Sequence, residues 1–454
     1  MTTFARSDSL PTATPWPPEP APAQGETDLA RPMADRGLWA IDPALTFLNH
    51  GSYGACPRVV LDRQRELRER MERDPVRFFM QDIETLMDRT RDAVGALIDA
   101  DPASLAPAPN STVACATVLR HIAWNPGDEI IVSHHEYSSC INEIGRLAQS
   151  HDVRPVHADL PAVLDTPEQV IEATLKCVTP RTRLCLVSHV TSCGGAVLPV
   201  ERLVALLRER GVETLVDGAH TPGQIELSVR RIGAAYYVAG LHKWCATPKG
   251  GAFISVRDDL RSGFRPLSLS SRAAKKRTDR DLYRCDFEYV GTADYTGHLC
   301  VPDAFAFMAS LSEGGWPAVM RRNLRLARAA SAMITSTLRE VAPHDDVRPL
   351  CAEGLMGAMA SVRLPACPPD LATRLAKDRW VRMDDPFFRP LARTLGDPVQ
   401  DALVERYNIQ TPVWKQDGPA PEFGKRFIRV CAHPSLCLGD FEHLCNALRE
   451  MHAR

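Results

Sequence analysis

The chain has 454 residues, 44% of them hydrophobic and 24% charged, with a formal net charge of −2. That is the composition of a folded globular protein, long enough for a large domain plus a smaller one. It has no basic excess to draw nucleic acid, and no apolar run approaches the ~20 residues that a membrane helix needs.

Residues 1–38, which begin MTTFARSDSLPTATPWPPEP, are rich in Pro, Ala, Thr and charge and read as a flexible leader. They lack the apolar stretch of a secretory signal, so a cytoplasmic protein is expected. The 14 cysteines are scattered, without a CxxC pair, as in a chain whose thiols stay reduced. Cys431 and Cys437 flank His433 without zinc spacing, and no metal is expected.

From Leu45 the texture changes to TFLNHGSYGACP, a short apolar segment followed by a Gly-rich turn. Pro57 is placed to open a helix through VVLDRQRELRERMERD, and a second amphipathic helix is predicted from Val76 to Ala100. Short apolar runs then recur at Glu129–Ser133, Leu184–Ser188, Thr214–Val216, Tyr236–Ala239 and Ala252–Val256. Helical periods lie at 138–150, 167–178 and 200–210. This alternation predicts an α/β fold with a largely parallel sheet. No crossover helix separates the last two runs, so they are expected to pair antiparallel. The basic segment Arg272–Arg280 reads as a solvated loop. A long helical stretch, Val301–Val341, leads into strand candidates SVRL and RFIRV and a closing helix, Gly439–His452. The expected division is a large domain at 39–340 and a small α+β domain at 341–454.

The chemistry concentrates in 211–251, GVETLVDGAHTPGQIELSVRRIGAAYYVAGLHKWCATPKGG. One strand ends in Asp217, at the carboxyl edge where α/β sheets bind ligands. Another ends in Gly240-Leu241-His242-Lys243-Trp244, whose apolar neighbours can desolvate the amine and favour its nucleophilic form. A carboxylate with a distant lysine is what pyridoxal 5'-phosphate (PLP) requires, one for its pyridine nitrogen and one for its aldehyde. Lys249 in PKGG is the rival lysine, but it sits in a turn with no strand before it.

DGAH followed 26 positions later by the Lys of HKW resembles the signature of class V PLP enzymes of aminotransferase fold type I. Within that family, FLNHGSYGACPRVVLDRQRELRERMERDPVRFF, NSTVA, DEIIVSHHEYSS, LVSHVTS and LPVERLVALLRERG resemble the isopenicillin N epimerase-like branch, over roughly residues 40–450. The resemblance implies a large domain with a mostly parallel central sheet flanked by helices, and a smaller α+β C-terminal domain.

It also implies roles. Lys243 would hold the cofactor as a Schiff base and shuttle the proton at the substrate α-carbon. Asp217 would meet the pyridine nitrogen, and His220 and Ser192 the phenolic oxygen. Ser111 and Thr112 open a predicted helix and would bind the phosphate, although a simple N-cap explains them equally on their own. His242 is a further phosphate contact. Tyr137 is nominated to stack on the ring, with His135 in its place if the alignment slips by two. Thr292 resembles a residue that reaches the phosphate of a neighbouring subunit, which implies a homodimer with shared active sites. Arg429 would grip the α-carboxylate of an amino-acid substrate through its forked guanidinium, with Asn49 and His50 on the substrate side.

The sequence departs from family habit at Cys193-Gly194-Gly195, at Leu241 and at CAHPSLC. All three fall where substrate or cofactor is expected, so they touch substrate identity. β-Elimination, a C–S lyase reaction on a cysteine-derived conjugate, is placed ahead of epimerisation. Decarboxylating or oxidative deamination and transamination follow. A desulfurase needs a nucleophilic cysteine on an exposed loop, for which Cys285 within 258–295 is the candidate. A non-catalytic binding protein on the same fold is the contrasting class.

Overall fold

The computed structural model describes residues 28–273, 277–367, 397–415, 418 and 424–453. Most of the leader, part of the basic segment at 274–276 and the stretch 368–396 lie outside them.

The strands in chain order are β1 (Thr46–Phe47), β2 (Leu105–Ala108), β3 (Glu129–Ser133), β4 (Arg154–Ala158), β5 (Thr182–Ser188), β6 (Glu213–Asp217), β7 (Tyr236–Gly240) and β8 (Ala252–Val256). They continue with β9 (Met359–Arg363), β10 (Ile409–Gln410), β11 (Val413–Lys415) and β12 (Arg426–Cys431). Seven build the central sheet in the order β2-β8-β7-β6-β5-β3-β4. Only β8 runs against the others, antiparallel to both β2 and β7, as the missing crossover required. β3, β5, β6, β7 and β8 are buried along their whole length or nearly so, which accounts for their continuous apolar runs. The sequence reading overlooked β2 and β4. Both lie at sheet edges and carry a proline, Pro107 and Pro155, where the ladder tolerates a missing donor.

Helices cover the sheet with the expected periodicity. α1 (Arg58–Arg73) buries Val60, Gln64 and Leu67, one residue per turn along a single stripe. The helix expected over 76–100 is broken: a π-helical turn at Phe78–Asp82 precedes α2 (Ile83–Ile98), which ends on Asp99 in the left-handed conformation. α3 (Ser111–His121) and α4 (Ser138–His151) follow. A capping box between Thr166 and Gln169, with Pro167 at the first position, starts α5 (Pro167–Lys176). α6 (Val200–Arg208) buries Val200, Leu203, Val204 and Leu207.

The basic segment does not sit free in solvent. Arg277 pairs with Glu84, and Arg280 pairs with Asp88 and Glu288, which ties the segment to α2 and to α7 (Leu282–Glu288). The stretch expected as one helix over 301–341 is two, α8 (Val301–Ser310) and α9 (Gly315–Val341), separated by a turn at 311–314, and the first residue of α9, Gly315, has φ 59°.

The C-terminal part has the antiparallel sheet β11-β12-β9, α10 (Pro398–Tyr407) and the closing α11 (Leu438–His452). β1 pairs parallel with β10, joining the segment before the Gly-rich turn to this part of the chain. The end of the leader, expected to be flexible, is tied to it as well: Leu438 N–H donates to Leu29 O, and the buried Arg322 guanidinium donates to the carbonyls of Arg31, His433 and Leu436. Among the described residues, no helix is long and apolar enough to cross a membrane.

Candidate active site

The carboxyl ends of β2, β3, β5, β6 and β7 open on one cavity of about 260 Å³. Ser111, Thr112, Tyr137, Ser192, Asp217, His220, His242 and Lys243 all line it. The parallel strands end at the same level and therefore deliver residues far apart in sequence to one edge.

Lys243 is, among the described residues, the one lysine at this cavity. Its Nζ lies 2.9 Å from His220 Nε2. Burial pulls its ammonium down to about 7, opposed by the charge of Asp217 and helped by that of Arg429. Burial, and next the Lys243 charge, hold His220 well below its usual range, so the imidazole is neutral. The rival Lys249 lies outside the cavity and donates to Gly54 O at 2.7 Å.

Asp217 is 4% exposed. Its Oδ1 accepts from the Ala219 N–H at 2.9 Å, and its Oδ2 lies 3.6 Å from Cys140 Sγ. Burial raises its pKa, while the Ala219 N–H and the Lys243 charge work against that rise.

At the start of α3, Asn110 makes the N-cap itself, its Oδ1 accepting from Val113 N–H at 2.9 Å. The neighbouring Ser111 Oγ is buried and, among the described residues, has no hydrogen-bond partner; the same holds for His242 Nδ1 and His220 Nδ1. Ser111 Oγ and His242 Nδ1 approach each other over Gly240, where an added Cβ would stand 3.2 Å from the first and 3.3 Å from the second. Unpaired buried donors at a helix N-terminus fit a phosphate, and a carboxylate facing a low-pKa lysine fits a pyridine aldehyde. The residues present thus suit PLP.

Tyr137 and His135 part company. Tyr137 lines the cavity and is half exposed, whereas His135 is buried away from it with Nε2 2.8 Å from Pro161 O. Burial lowers His135 to about 4. The chain turns at residues 134–136, between β3 and α4, and this turn sends two side chains that an extended strand would place on one face to different environments.

Arg429, on β12, is 1% exposed. Its Nη1 donates to Ser192 O at 2.7 Å, and its Nη2 donates to Asn49 Oδ1 at 3.1 Å and Ser52 Oγ at 2.7 Å. Its guanidinium lies 4.4 Å over the Trp414 ring. Among the described residues no carboxylate pairs with it, so a buried cation is held by neutral oxygens alone. Asn49 thus joins the site through Arg429, and His50 does not. His50 is fully buried, stacked on His433 with ring centroids 3.7 Å apart, and lowered by burial to about 3. Its place is in the packing behind the Gly-rich turn.

Thr292 is exposed, outside this cavity, with its hydroxyl 3.0 Å from Tyr289 Oη. Cys285 is neither exposed nor on a loop; it is buried on α7, and burial raises its thiol. Ser52, Tyr53, Cys140 and Ser188 also line the cavity without having been singled out from sequence. Ser52 stood inside the quoted GSYG and could have been nominated as a polar partner. Trp414 and Cys140 carried no such signal, because only the fold brings them to Arg429 and Asp217.

Comparison with known proteins identifies the family. Residues 49–346 match the family described as Aminotransferase class-V. The chain is 32% identical to isopenicillin N epimerase of Amycolatopsis lactamdurans over 430 residues, 91% of this chain and 96% of that protein. It is 30% identical over 340 residues to a protein of Oryza sativa subsp. japonica named putative L-cysteine desulfhydrase 1, covering 70% of this chain and 67% of that one. Among solved structures, the cystine C–S lyase C-DES with its product cysteine persulfide superposes with a TM-score of 0.71 at 20% identity, over 89% of this chain and 97% of that one. A second C-DES structure, with glycine covalently linked to its PLP cofactor, gives the same TM-score of 0.71 at 20% identity over 92% and 99%. With that match over residues 49–346 and a relative 32% identical across nearly its whole length, the chain belongs to the aminotransferase class-V family.

Proposed function

We propose that the protein is a PLP-dependent C–S lyase that releases a thiol from a cysteine-derived conjugate by β-elimination. Lys243 would hold the cofactor covalently, Asp217 would pair with its pyridine nitrogen and His220 with its phenolic oxygen. Ser111, Thr112 and His242 would take the phosphate, and Tyr137 would cover the ring. The bound cofactor supplies an electron sink for the bonds at the substrate α-carbon.

The chain's own residues do the rest. Arg429, held by Asn49, Ser52 and the Ser192 carbonyl, forks onto the substrate α-carboxylate. That fixes the α-carbon relative to the Lys243 amine, whose lowered proton affinity lets it take the α-proton near neutral pH and return a proton to the departing sulfur. The C–H and C–S bonds break, the sulfur leaves with its electron pair, and water completes the conversion to pyruvate and ammonia. The observation that carries this reading is Lys243, among the described residues the one lysine at the cavity, together with the buried Arg429 guanidinium held by neutral oxygens and by no described carboxylate. The resemblance to a cysteine desulfhydrase and a cystine C–S lyase directs it to sulfur-bearing substrates.

The second reading is epimerisation at the α-carbon. It is favoured by the isopenicillin N epimerase relative, whose match covers nearly the whole chain. The two part in deuterated water with a cysteine S-conjugate. Elimination gives pyruvate, ammonia and free thiol. Epimerisation gives unchanged substrate with one deuterium at the α-carbon and inverted chirality.

A homodimer in the cytoplasm belongs to the same proposal. Thr292 is exposed to a neighbouring copy, and Tyr53, Val76 and Met80 present apolar surface at 73%, 74% and 65% exposure, suited to being covered.

A further inference from the structure

Behind Asp217 stand two buried thiols that the reaction does not use. Cys115 on α3 and Cys140 on α4 are each 1% exposed, and their sulfurs lie 3.6 Å apart. Cys140 Sγ is also 3.6 Å from Asp217 Oδ2. The carboxylate's other oxygen is fixed by the Ala219 N–H at 2.9 Å. Cys140 has one proton to place and two neighbours that could receive it. The arrangement that satisfies every group runs in one direction: Cys115 donates to the Cys140 sulfur, and Cys140 donates to Asp217 Oδ2. The carboxylate is then held from both sides, by a backbone amide on one oxygen and a thiol on the other.

We propose that Cys140, backed by Cys115, is a positioning residue that holds Asp217 ionised and correctly turned toward the cofactor nitrogen. The inference rests on the assignment of Asp217 made above. A donor on Oδ2 lowers the carboxylate's affinity for a proton. Without it, the proton shared between Asp217 and the pyridine nitrogen moves toward the aspartate, and the electron sink weakens. Oδ2 is also freed to rotate within a cavity wall that otherwise fixes only Oδ1. A sulfur donor at this distance is weak, but the site is buried, and a buried carboxylate oxygen left without a donor costs more than the bond itself contributes.

The test uses the PLP-loaded protein and its Cys140→Ala, Cys140→Ser and Cys115→Ala variants. Four readouts are followed: the cofactor absorbance band, the dissociation constant for PLP, kcat and KM. Cys140→Ala is expected to lower kcat roughly tenfold and to weaken PLP binding by a few fold, with KM within about twofold of the parent. Cys140→Ser keeps a donor and restores kcat to within roughly threefold. Cys115→Ala leaves Asp217's contacts in place and gives a smaller fall of about threefold, which keeps the test open should Cys140→Ala fail to fold. Unchanged kcat and PLP affinity in Cys140→Ala would overturn the proposal. So would a serine variant as impaired as the alanine one, since that would assign the loss to packing. If the parent protein shows no cofactor band, the failure lies in the assignment of the cofactor and not in Cys140.

Discussion

Lys243 Nζ and His220 Nε2 lie 2.9 Å apart and share one hydrogen bond. Burial and the lysine charge keep the imidazole neutral, so the pair carries at most one positive charge, and it resides on the lysine. Which way the bond points is therefore set by the state of the amine.

The amine's state has a pH signature. Lys243 is lowered to about 7, so its reactive free-base form is scarce below that value and predominates above it. Capture of PLP by the cofactor-free protein, followed as absorbance growth in a stopped-flow instrument, should accelerate through pH 7 and level off by about pH 8. A rate still climbing toward pH 10 would show an ordinary lysine and contradict the burial argument.

Arg429→Lys should separate binding from chemistry. A lysine cannot make the forked contact, nor span Ser192 O, Asn49 Oδ1 and Ser52 Oγ at once. KM for the amino-acid substrate should rise roughly thirtyfold, about 2 kcal/mol, while the cofactor band stays in place. Steady-state kinetics beside an absorbance spectrum check both halves.

The orphaned atoms beside Gly240 predict a phosphate effect. Ser111→Ala should raise the PLP dissociation constant by about five- to tenfold and leave pyridoxal, which has no phosphate, unaffected. Titration of the cofactor-free protein with each compound provides the comparison. Equal losses for the two would move the phosphate elsewhere.

The sheet and most of this site were legible because the relevant signals are local. Strands buried on both faces give apolar runs, and two of them lead directly to functional residues, Asp217 at the end of β6 and Lys243 just after β7. Edge strands gave no such run: Pro107 and Pro155 sit in β2 and β4, and β4 is largely exposed. His50 was nominated with Asn49 because the family resemblance places their segment on the substrate side. At a turn, neighbouring side chains diverge, and His50 went to the stack with His433 instead. Trp414 and Cys140 could not have been found, since their partners are distant in sequence and no motif joins them.

Gly54 predicts an intolerant position. A Cβ there would stand 2.1 Å from His242 O and 2.4 Å from Lys243 O, both backbone atoms that cannot swing aside. Gly54→Ala must displace either the Gly-rich turn or the lysine segment. It should destabilise the protein by about 2–3 kcal/mol, seen as a lower melting temperature, and should weaken substrate binding through Asn49 and Ser52.

The contact between Asn49 and Arg429 spans 380 residues of chain. At the usual pace of synthesis, a ribosome needs on the order of ten to forty seconds to pass from Lys243 to Arg429. During that interval the growing chain already contains every residue that lines the cofactor cavity, but nothing to grip a substrate carboxylate. Substrate recognition is thus the last property the nascent protein acquires.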